Sequence, residues 1–352
     1  MKTIHVSASR SYDVHIAPGS LDKAGEYIRG VSRAETAVIV SGDRVWPLYG
    51  ERLKNALESA GFCVLSFVFP HGEEHKTLET YAALLNFLCE NHLTRSDVLI
   101  ALGGGVTGDL TGFAAATYQR GCAYVQIPTT LLAMVDSSVG GKTAVDLPGG
   151  KNQAGAFYQP LLVLCDPDTL STLPEEQFRS GCAEVIKYGM LGDAEFFRYL
   201  SAHPVREEPE TMIERCVRMK RDIVQQDEYD TGLRRLLNLG HSFGHAVESS
   251  SGYRLLHGEA VAIGMAAITR AAVRKGMCEP SVLEDLFALL TRYGLPSACD
   301  YDAATLAAAM RNDKKAKGST MHLVVPEAIG RCRVMAVPVE ELTEWLRLGG
   351  FA

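Results

Sequence analysis

His241 and His245 lie four residues apart, in a segment whose other residues are mostly apolar or glycine. In a helix this spacing puts both imidazoles on one face, one turn apart. A third histidine, His257, stands at a predicted helix start. Histidines that can converge, in a chain with ten of them, favour a divalent metal site. A polar pair on a helix surface is the alternative, but the apolar flanks predict an inward-facing pair, which is costly to bury without a shared ligand.

Glu184 is a candidate for a further metal ligand. It is the lone acid in the mostly apolar segment 181–189. A carboxylate and two histidines form a common zinc set that leaves one coordination position open for substrate. An ion pair between Glu184 and Lys187 on a helix surface explains the same segment equally well. Spacing also does not decide between His241 and His245 as the ligand, so residue types leave both questions open.

A glycine turn at 103–105 lies between a predicted strand and a predicted helix. Glycines let the backbone approach a ligand, and the helix start offers free N–H groups to a phosphate. The turn matches neither the Gly-x-Gly-x-x-Gly fingerprint nor a P-loop. Asp43 ends an earlier strand, where it could bind ribose hydroxyls, and Thr129 and Thr130 follow another. Ligands of open α/β sheets bind at such strand ends, so the spacing predicts a dinucleotide site.

Basic residues fall in unusual settings for an acidic chain. Lys142 and Lys151 lie in the glycine-rich segment 139–155, interpreted as loops, where a lysine suits a phosphate or carboxylate ligand. Lys220 adds a further cation. A single helix stripe is predicted to carry four polar side chains amid leucines, and it is best interpreted as the wall of a site for a polyhydroxylated anion: Arg234, Asn238, His241 and His245.

Composition limits the class of protein. The chain has 352 residues, 47% of them hydrophobic, which suits two globular domains. A net charge of −7 argues against nucleic acid as the default partner. Nine scattered cysteines without a Cys-x-x-Cys motif indicate reduced thiols and a cytoplasmic protein. The start of the chain does not resemble a signal peptide, and no apolar run reaches the length of a membrane span.

The order of predicted elements indicates an α/β N-terminal domain with a mostly parallel, Rossmann-like sheet and a mainly α-helical C-terminal domain. We predict domains at 1–170 and 171–352, with the boundary within 168–174 and the site in a cleft between them. Strands are predicted at 38–40, 64–69, 97–102, 124–127 and 161–164, helices at 45–60 and 78–91, and later strands only at 321–325 and 332–337.

Taken together, these segments resemble the 3-dehydroquinate synthase family over about residues 43–330. The segments that carry the resemblance are 72–76, 103–109, 128–142, 150–152, 183–189, 238–248, 257–259 and 313–315. The resemblance implies a shikimate-pathway enzyme with bound NAD, one divalent metal (zinc or cobalt) and a homodimeric state. Its substrate would be 3-deoxy-D-arabino-heptulosonate 7-phosphate, converted to 3-dehydroquinate by transient oxidation, phosphate elimination, reduction and aldol closure.

The resemblance also implies roles for single residues. The metal ligands are Glu184, His241 and His257, which leaves His245 to contact substrate. NAD contacts are Asp43, Glu73, Lys76, Gly104, Gly105, Val106, Asp109, Thr129, Thr130, Leu132 and Thr172, together with Asp136, Lys142 and Lys151. Substrate or catalytic contacts are Asp136, Lys142, Lys151, Asn152, Lys220, Arg234, Asn238, His245 and one of Lys314 and Lys315. Arg120 is expected to reach the substrate phosphate, with a dimer interface as its route. Asp146 stands where the family often has asparagine, and no role follows for it.

Three alternatives remain from sequence. Cyclases that make inosose or valiolone skeletons share this chemistry, but they usually differ at the basic and amide positions that meet the substrate carboxylate. Polyol dehydrogenases combine a glycine turn with histidine ligands but do not need so many cations. An inactive nucleotide-binding regulator would have no use for five cationic groups at one cleft: Arg120, Lys142, Lys151, Lys220 and Arg234.

Overall fold

The computed structural model describes residues 1–252, 254–312 and 319–352. Contacts divide the chain into two compact units. The first comprises Met1–Leu173 and Lys220–Glu228, and the second comprises Pro174–Met219 and Tyr229–Ala352. The short segment Lys220–Glu228 groups with the first unit because Lys220 bonds to Asp136, and Gln225 accepts the backbone N–H of Ser7.

The first unit, described throughout, is built on a seven-stranded sheet with the order β1-β2-β9-β6-β5-β3-β4. The β1–β2 pair is antiparallel, and each later neighbour is parallel. A separate hairpin is formed by β7 and β8. The strands are β1 (Lys2–Val6), β2 (Tyr12–Ile16), β3 (Thr36–Gly42), β4 (Cys63–Phe69), β5 (Val98–Gly103), β6 (Ala123–Pro128), β7 (Lys142–Leu147), β8 (Gly150–Phe157) and β9 (Leu162–Cys165).

Helices cover both faces of this sheet, as expected for continuous apolar strands. Along β3, Ile39 packs into one hydrophobic cluster while Val38 and Val40 pack into the other, because successive side chains point to opposite faces. The first cluster includes Leu53 of α2, and the second includes Leu84 of α3. The helices are α1 (Ala24–Val31), α2 (Glu51–Ser59), α3 (Leu78–Glu90) and α4 (Gly105–Thr117). The predicted α/β class of this half is confirmed.

The glycine-rich segment 139–155 was predicted to form loops, and that prediction is wrong. Most of it forms the β7–β8 hairpin, which packs against α4. A Cβ at Gly112 of α4 would lie 2.4 Å from Thr143 Cγ2, so a residue without a side chain permits this close packing. Tertiary contact therefore overrides the low strand propensity of the glycines.

The second unit is mainly helical among its described residues, as predicted, and α9 packs against α5, α8 and α12. Its one described sheet is the β10–β11 hairpin, at the two places where strands were expected. The elements are α5 (Glu175–Gly192), α6 (Ala194–Ala202), α7 (Pro209–Gln226, whose residues from Lys220 onward group with the first unit), α8 (His241–Ser250), α9 (His257–Arg274), α10 (Pro280–Arg292), α11 (Ala303–Asn312), β10 (Thr320–Ala328), β11 (Arg331–Pro338) and α12 (Leu342–Gly349). None of the described helices is both long enough and apolar enough to cross a membrane.

The predicted single stripe from Arg234 to His245 is wrong. Arg234 and Asn238 belong to a 3₁₀ helix, Leu233–Asn238, and α8 begins only at His241. Between them Gly240 adopts a left-handed backbone with φ of 78°. An added Cβ there would lie 2.7 Å from the carbonyl oxygen of Val261, so the break depends on glycine for both conformation and space.

Candidate metal and cofactor sites

Three helices of the second unit supply the predicted metal ligands. Glu184 lies in the middle of α5, His241 is the first residue of α8 and His257 is the first residue of α9. The start of α9 can approach α5 closely because Gly258 has no side chain. A Cβ at that position would lie 1.9 Å from the carbonyl oxygen of Ser180. The backbone N–H of Gly258 also donates to Ser180 Oγ at 2.9 Å. The residue after one predicted ligand therefore fixes its helix against the helix that carries another predicted ligand.

The ligand atoms converge. Glu184 Oε1 lies 3.5 Å from His241 Nε2 and 3.3 Å from His257 Nε2. On the other side of its ring, His241 Nδ1 lies 3.1 Å from the carbonyl oxygen of Leu239. A carbonyl can only accept, so Nδ1 carries a hydrogen, and Nε2 is the ring nitrogen that faces Glu184. One donor atom from each of the three side chains lies within 4.8 Å of the others.

Two charged side chains of this cluster are buried from solvent. Glu184 and Lys187 are each 1% exposed, and Lys187 Nζ lies 2.5 Å from Glu184 Oε2. The Glu184–Lys187 ion pair, which was the alternative from sequence, is therefore present. It is buried rather than on a helix surface, and it leaves Oε1 of Glu184 facing the two histidines. Burial lowers the pKa of His257, yet hydrogen bonds with the Glu184 and Glu248 carboxylates outweigh it and raise the pKa to about 10.

A second donor set overlaps the first, formed by His245, Glu248 and His257. The His245 ring centroid lies 5.4 Å from that of His241 and 5.9 Å from that of His257. Glu248 Oε2 lies 3.5 Å from His257 Nδ1, on the ring edge away from Glu184. That position suits a carboxylate that orients a ligand imidazole, as found behind many zinc-bound histidines.

The first donor set fits a zinc or cobalt ion by its chemistry. Two imidazole nitrogens and one carboxylate oxygen are borderline ligands that both ions accept, and a set of three leaves a position for substrate. Nitrogen and oxygen atoms at these separations, carried by three helices, need only close around an ion of ordinary bond length.

The glycine turn in the first unit lies where the sequence predicts it. β5 ends at Gly103 and α4 begins at Gly105, with Gly104 as the N-cap. A Cβ at Gly104 would lie 3.0 Å from Thr130 Cγ2, and the N–H of Thr129 donates to the carbonyl of Gly103 at 2.9 Å. The N-cap has no side chain to cap the helix, so the first-turn amides suit a phosphate. Val106 is half-buried in this first turn, and Leu132 is half-buried just after β6.

A buried ion-pair cluster, which we call the Lys76 cluster, joins residues predicted to serve NAD and substrate. Lys76 is 3% exposed. Its Nζ lies 2.8 Å from Asp109 Oδ2 and 3.5 Å from Glu73 Oε1, and it donates to Asn152 Oδ1 at 2.6 Å. Lys151 Nζ is 3.5 Å from Glu73 Oε1. Burial alone lowers the pKa of Lys76, but Asp109 and Glu73 hold it above its ordinary value, so the lysine is charged.

Other predicted residues of the first unit are held by local partners. Lys220 Nζ donates to the backbone carbonyl of Asp136 at 2.7 Å and also contacts its carboxylate. Asp43 follows β3 and accepts the backbone N–H of His71 at 3.0 Å; the hydrogen bond from the His71 ring lowers the pKa of Asp43. Thr172 Oγ1 lies 2.5 Å from the hydroxyl of Tyr49.

The remaining predicted residues fall at separate places. Lys142 is exposed at the start of β7. Arg234 is 1% exposed, and Asn238 donates to the carbonyl of Arg235 at 3.2 Å. Arg120 is exposed in the turn after α4, about 20 Å from the glycine turn by the length of that 13-residue helix. Lys314 and Lys315 lie outside the described residues.

A family model described as 3-dehydroquinate synthase N-terminal matches residues 66–180, and one described as 3-dehydroquinate synthase C-terminal matches residues 181–316. The 3-dehydroquinate synthase of Nostoc punctiforme is 47% identical over 332 residues, covering 91% of this chain and 92% of that relative. The chain belongs to the 3-dehydroquinate synthase family. The family predicted from the sequence motifs is confirmed.

Solved structures agree with the family in fold. The chain is 30% identical, with a TM-score of 0.88 and 99% of each chain covered, to 2-epi-5-epi-valiolone synthase from Streptomyces hygroscopicus subsp. jinggangensis 5008 with NAD+ and Zn2+ bound. A 2-deoxy-scyllo-inosose synthase complexed with carbaglucose-6-phosphate, NAD+ and Co2+ has a TM-score of 0.89 at 24% identity, covering 98% of this chain and 99% of that one. The second likeness is one of fold alone.

Sequence reasoning left three residues of these sites without a role. Lys187 was considered only as a surface partner of Glu184, although its place in the apolar segment 181–189 was a signal for burial. Glu248 follows His241 by seven residues, two helical turns, which is a spacing that could have placed it on the histidine face. Asp146 was noted without a function, and no local pattern reveals its partners.

Proposed function

We propose that this chain converts 3-deoxy-D-arabino-heptulosonate 7-phosphate to 3-dehydroquinate and phosphate, as a phosphate-eliminating cyclase that depends on NAD and one divalent metal. The observation that carries the proposal is the convergence of Glu184, His241 and His257 in a chain of this family. When bound, NAD supplies a hydride acceptor and donor, and zinc or cobalt supplies a Lewis acid for neighbouring substrate hydroxyls.

The second unit would hold the metal through Glu184 Oε1 and the Nε2 atoms of His241 and His257. Lys187 would neutralise the other carboxylate oxygen, so that Glu184 presents one oxygen rather than two. Glu248 and the Leu239 carbonyl would keep both rings in the tautomer that leaves Nε2 free to bind.

The first unit would hold NAD at the carboxyl ends of its parallel strands. The first turn of α4 would receive the pyrophosphate, and Asp43 would accept hydrogen bonds from ribose hydroxyls. The proposed NAD contacts are those implied by the family resemblance: Asp43, Glu73, Lys76, Gly104, Gly105, Val106, Asp109, Thr129, Thr130, Leu132, Asp136, Lys142, Lys151 and Thr172.

The substrate carries a carboxylate and a phosphate, and cationic side chains would neutralise both. The proposed substrate contacts are Lys142, Lys151, Asn152, Lys220, Asp136, Arg234, Asn238, His245, Arg120 and one of Lys314 and Lys315. His245 and Asn238 would polarise substrate hydroxyls and relay protons, a role supported by the position of the His245 ring beside His241. The substrate's own phosphate is a candidate to take the proton during elimination.

The position of Arg120 bears on the oligomeric state of the protein. Within one chain it lies at the far end of α4 from the glycine turn. A role at the substrate phosphate is therefore most simply explained if a second copy presents it, which agrees with the predicted homodimer. The homodimer and a cytoplasmic location both stay predictions.

Phosphate release from the heptulosonate phosphate, followed with NADH absorbance, tests the function. We expect phosphate and 3-dehydroquinate in equal amounts, no net NADH, and loss of both products in a metal chelator. Sedoheptulose 7-phosphate, which has no carboxylate and carries a hydroxyl at carbon 3, is the comparison substrate and should react poorly. Net NADH production would indicate a polyol dehydrogenase instead, and a preference for the sugar without the carboxylate would indicate another cyclase.

A further inference from the structure

The β7–β8 hairpin contains an irregularity opposite Asp146. Val145 pairs with Ala154, but the next pair along the hairpin is Leu147 with Gly150. One residue of β7 therefore faces three residues of β8, 151–153. Such β-bulges redirect side chains and are frequent beside functional sites. Here the bulge carries two of the proposed substrate contacts, Lys151 and Asn152.

Asn152 adopts an unusual backbone within this bulge. Its φ is 54°, in the left-handed region, which asparagine adopts more readily than other residues with a side chain when local hydrogen bonds support it. The Asp146 carboxylate gives that support, because its Oδ1 accepts the backbone N–H of Asn152 at 2.7 Å. Asp146 is itself anchored, since its backbone N–H donates to the carbonyl of Lys76 at 2.8 Å.

The backbone of the bulge determines where two functional side chains point. Asn152 Oδ1 accepts from Lys76 Nζ at 2.6 Å, and Lys151 Nζ lies 3.5 Å from Glu73 Oε1. Asp146 is thus hydrogen-bonded both to the segment that holds Lys76 and to the bulge that bonds back to Lys76. Without its carboxylate, the bulge would lose the acceptor that holds its left-handed residue.

We propose that Asp146 is a positioning residue, which holds the β8 bulge so that Lys151 and Asn152 face the substrate. The proposal rests on the proposed function for the roles of those two residues. In this proposal Asp146 acts as a hydrogen-bond acceptor for a backbone N–H, rather than through its charge interactions with Lys76 and Lys151. An asparagine at this position keeps an acceptor oxygen at the same distance along the side chain, whereas alanine does not.

Steady-state phosphate release by Asp146→Ala and Asp146→Asn tests the proposal. We expect Asp146→Asn to keep KM and kcat within about threefold of the wild type, because the acceptor is retained. Asp146→Ala should raise KM by about tenfold or more with a smaller fall in kcat, since binding groups lose their orientation. Equal loss in both variants, or wild-type kinetics in Asp146→Ala, would overturn the proposal.

Asp97→Ala is the matched control for a lost carboxylate-to-backbone bond. Asp97 accepts the backbone N–H groups of Thr94 and Thr36 at 2.7 and 3.1 Å, just before β5. Its replacement should lower the melting temperature while KM stays at the wild-type value. A rise in KM with Asp97→Ala equal to that with Asp146→Ala would show general destabilisation and would contradict the proposal.

A double-mutant cycle with Asn152→Ala shows whether Asp146 acts through Asn152. In the Asn152→Ala background, adding Asp146→Ala should lower kcat/KM by less than it does in the wild type, because one of the two side chains that Asp146 positions is already gone and only Lys151 is left to be misplaced. Full multiplication of the two single effects would contradict the proposal.

Hydrogen exchange separates this proposal from the proposed function. The backbone amide of Asn152 should exchange faster in Asp146→Ala and at the wild-type rate in Asp146→Asn, whatever substrate the protein uses. If the wild type releases no phosphate but this pattern appears, the function fails and the positioning role stands. Unchanged exchange in Asp146→Ala would refute the positioning role.

Discussion

Each unit buries a lysine against a carboxylate, but the charge at the centre of the cluster is positive in the first unit and negative in the second. In the Lys76 cluster of the first unit, oxygen-bearing side chains surround one cation: Asp109, Glu73 and Asn152. In the second unit, nitrogen-bearing side chains surround one carboxylate, Glu184: Lys187, His241 and His257. A lysine keeps its proton at neutral pH, whereas a histidine can exchange a proton for a metal ion. The first cluster therefore holds a fixed charge, and we propose that the second can take up a metal ion in place of a proton.

Loss of Glu184 should have the largest effect. Glu184→Ala removes the oxygen on which both Nε2 atoms converge, so bound metal should fall well below one per chain. Phosphate release should fall by at least about a thousandfold, because the metal contributes several kcal/mol to the transition state. Metal analysis and kinetics measure both. The control is Glu176→Ala, an exposed acid on the same helix, and an equal loss there would contradict the assignment.

Loss of Lys76 should affect stability rather than metal binding. Lys76→Met leaves Asp109 without its main cation and should lower the free energy of unfolding of the first unit by about 3–5 kcal/mol. Urea unfolding measures the change. The control is Lys54→Met, whose exposed pair with Glu58 at 4.0 Å should contribute about 0.5 kcal/mol or less. A Lys76→Met protein as stable as the control would show that the Lys76 cluster is not a fixed-charge scaffold.

Metal removal should distinguish the two units. Zinc at a hundredfold excess over its Kd should stabilise the second unit by about 2.7 kcal/mol relative to chelated protein. Hydrogen exchange should then slow at the starts of α8 and α9 and stay unchanged in β5. Equal protection of β5 would mean that the metal acts on the whole chain or binds elsewhere.

Changes at Glu248 should have the smallest effect. Glu248→Ala should weaken metal binding by about 10–100-fold, the usual cost of losing the partner of a ligand imidazole. Glu248→Gln keeps an acceptor for His257 Nδ1–H and should retain most of the affinity. Competition with a chromogenic chelator measures both. If glutamine weakens binding as much as alanine, Glu248 is a direct ligand, and the metal occupies the second donor set with His245.

The sequence predicts well where local pattern and local structure agree. The strand that runs into 103–105, the helix that starts at His257 and the continuous apolar strands of the sheet all follow from periodicity and glycine placement. β1 and β2 were not predicted, because each has only five residues and polar side chains interrupt its apolar ones. The β7–β8 hairpin was missed because contact with α4, rather than strand propensity, stabilises it.

At the sites, too, the sequence identifies residues, whereas only the fold gives their orientation. Residue types and family motifs name Glu184, His241 and His257, but the direction of each ring nitrogen depends on Leu239 and Glu248, which only the fold places. The break at Gly240 separates a stripe that spacing alone makes continuous. Pairs distant in sequence, such as Asn152 with Lys76, have no signature in either segment.

An anomalous-scattering map of zinc-loaded crystals, recorded at the zinc edge, tests the central claim most directly. The account predicts one peak per chain, about 2.0–2.2 Å from Glu184 Oε1 and from the Nε2 atoms of His241 and His257. A peak bonded to His245 and Glu248 instead, or no peak at Glu184, would contradict it.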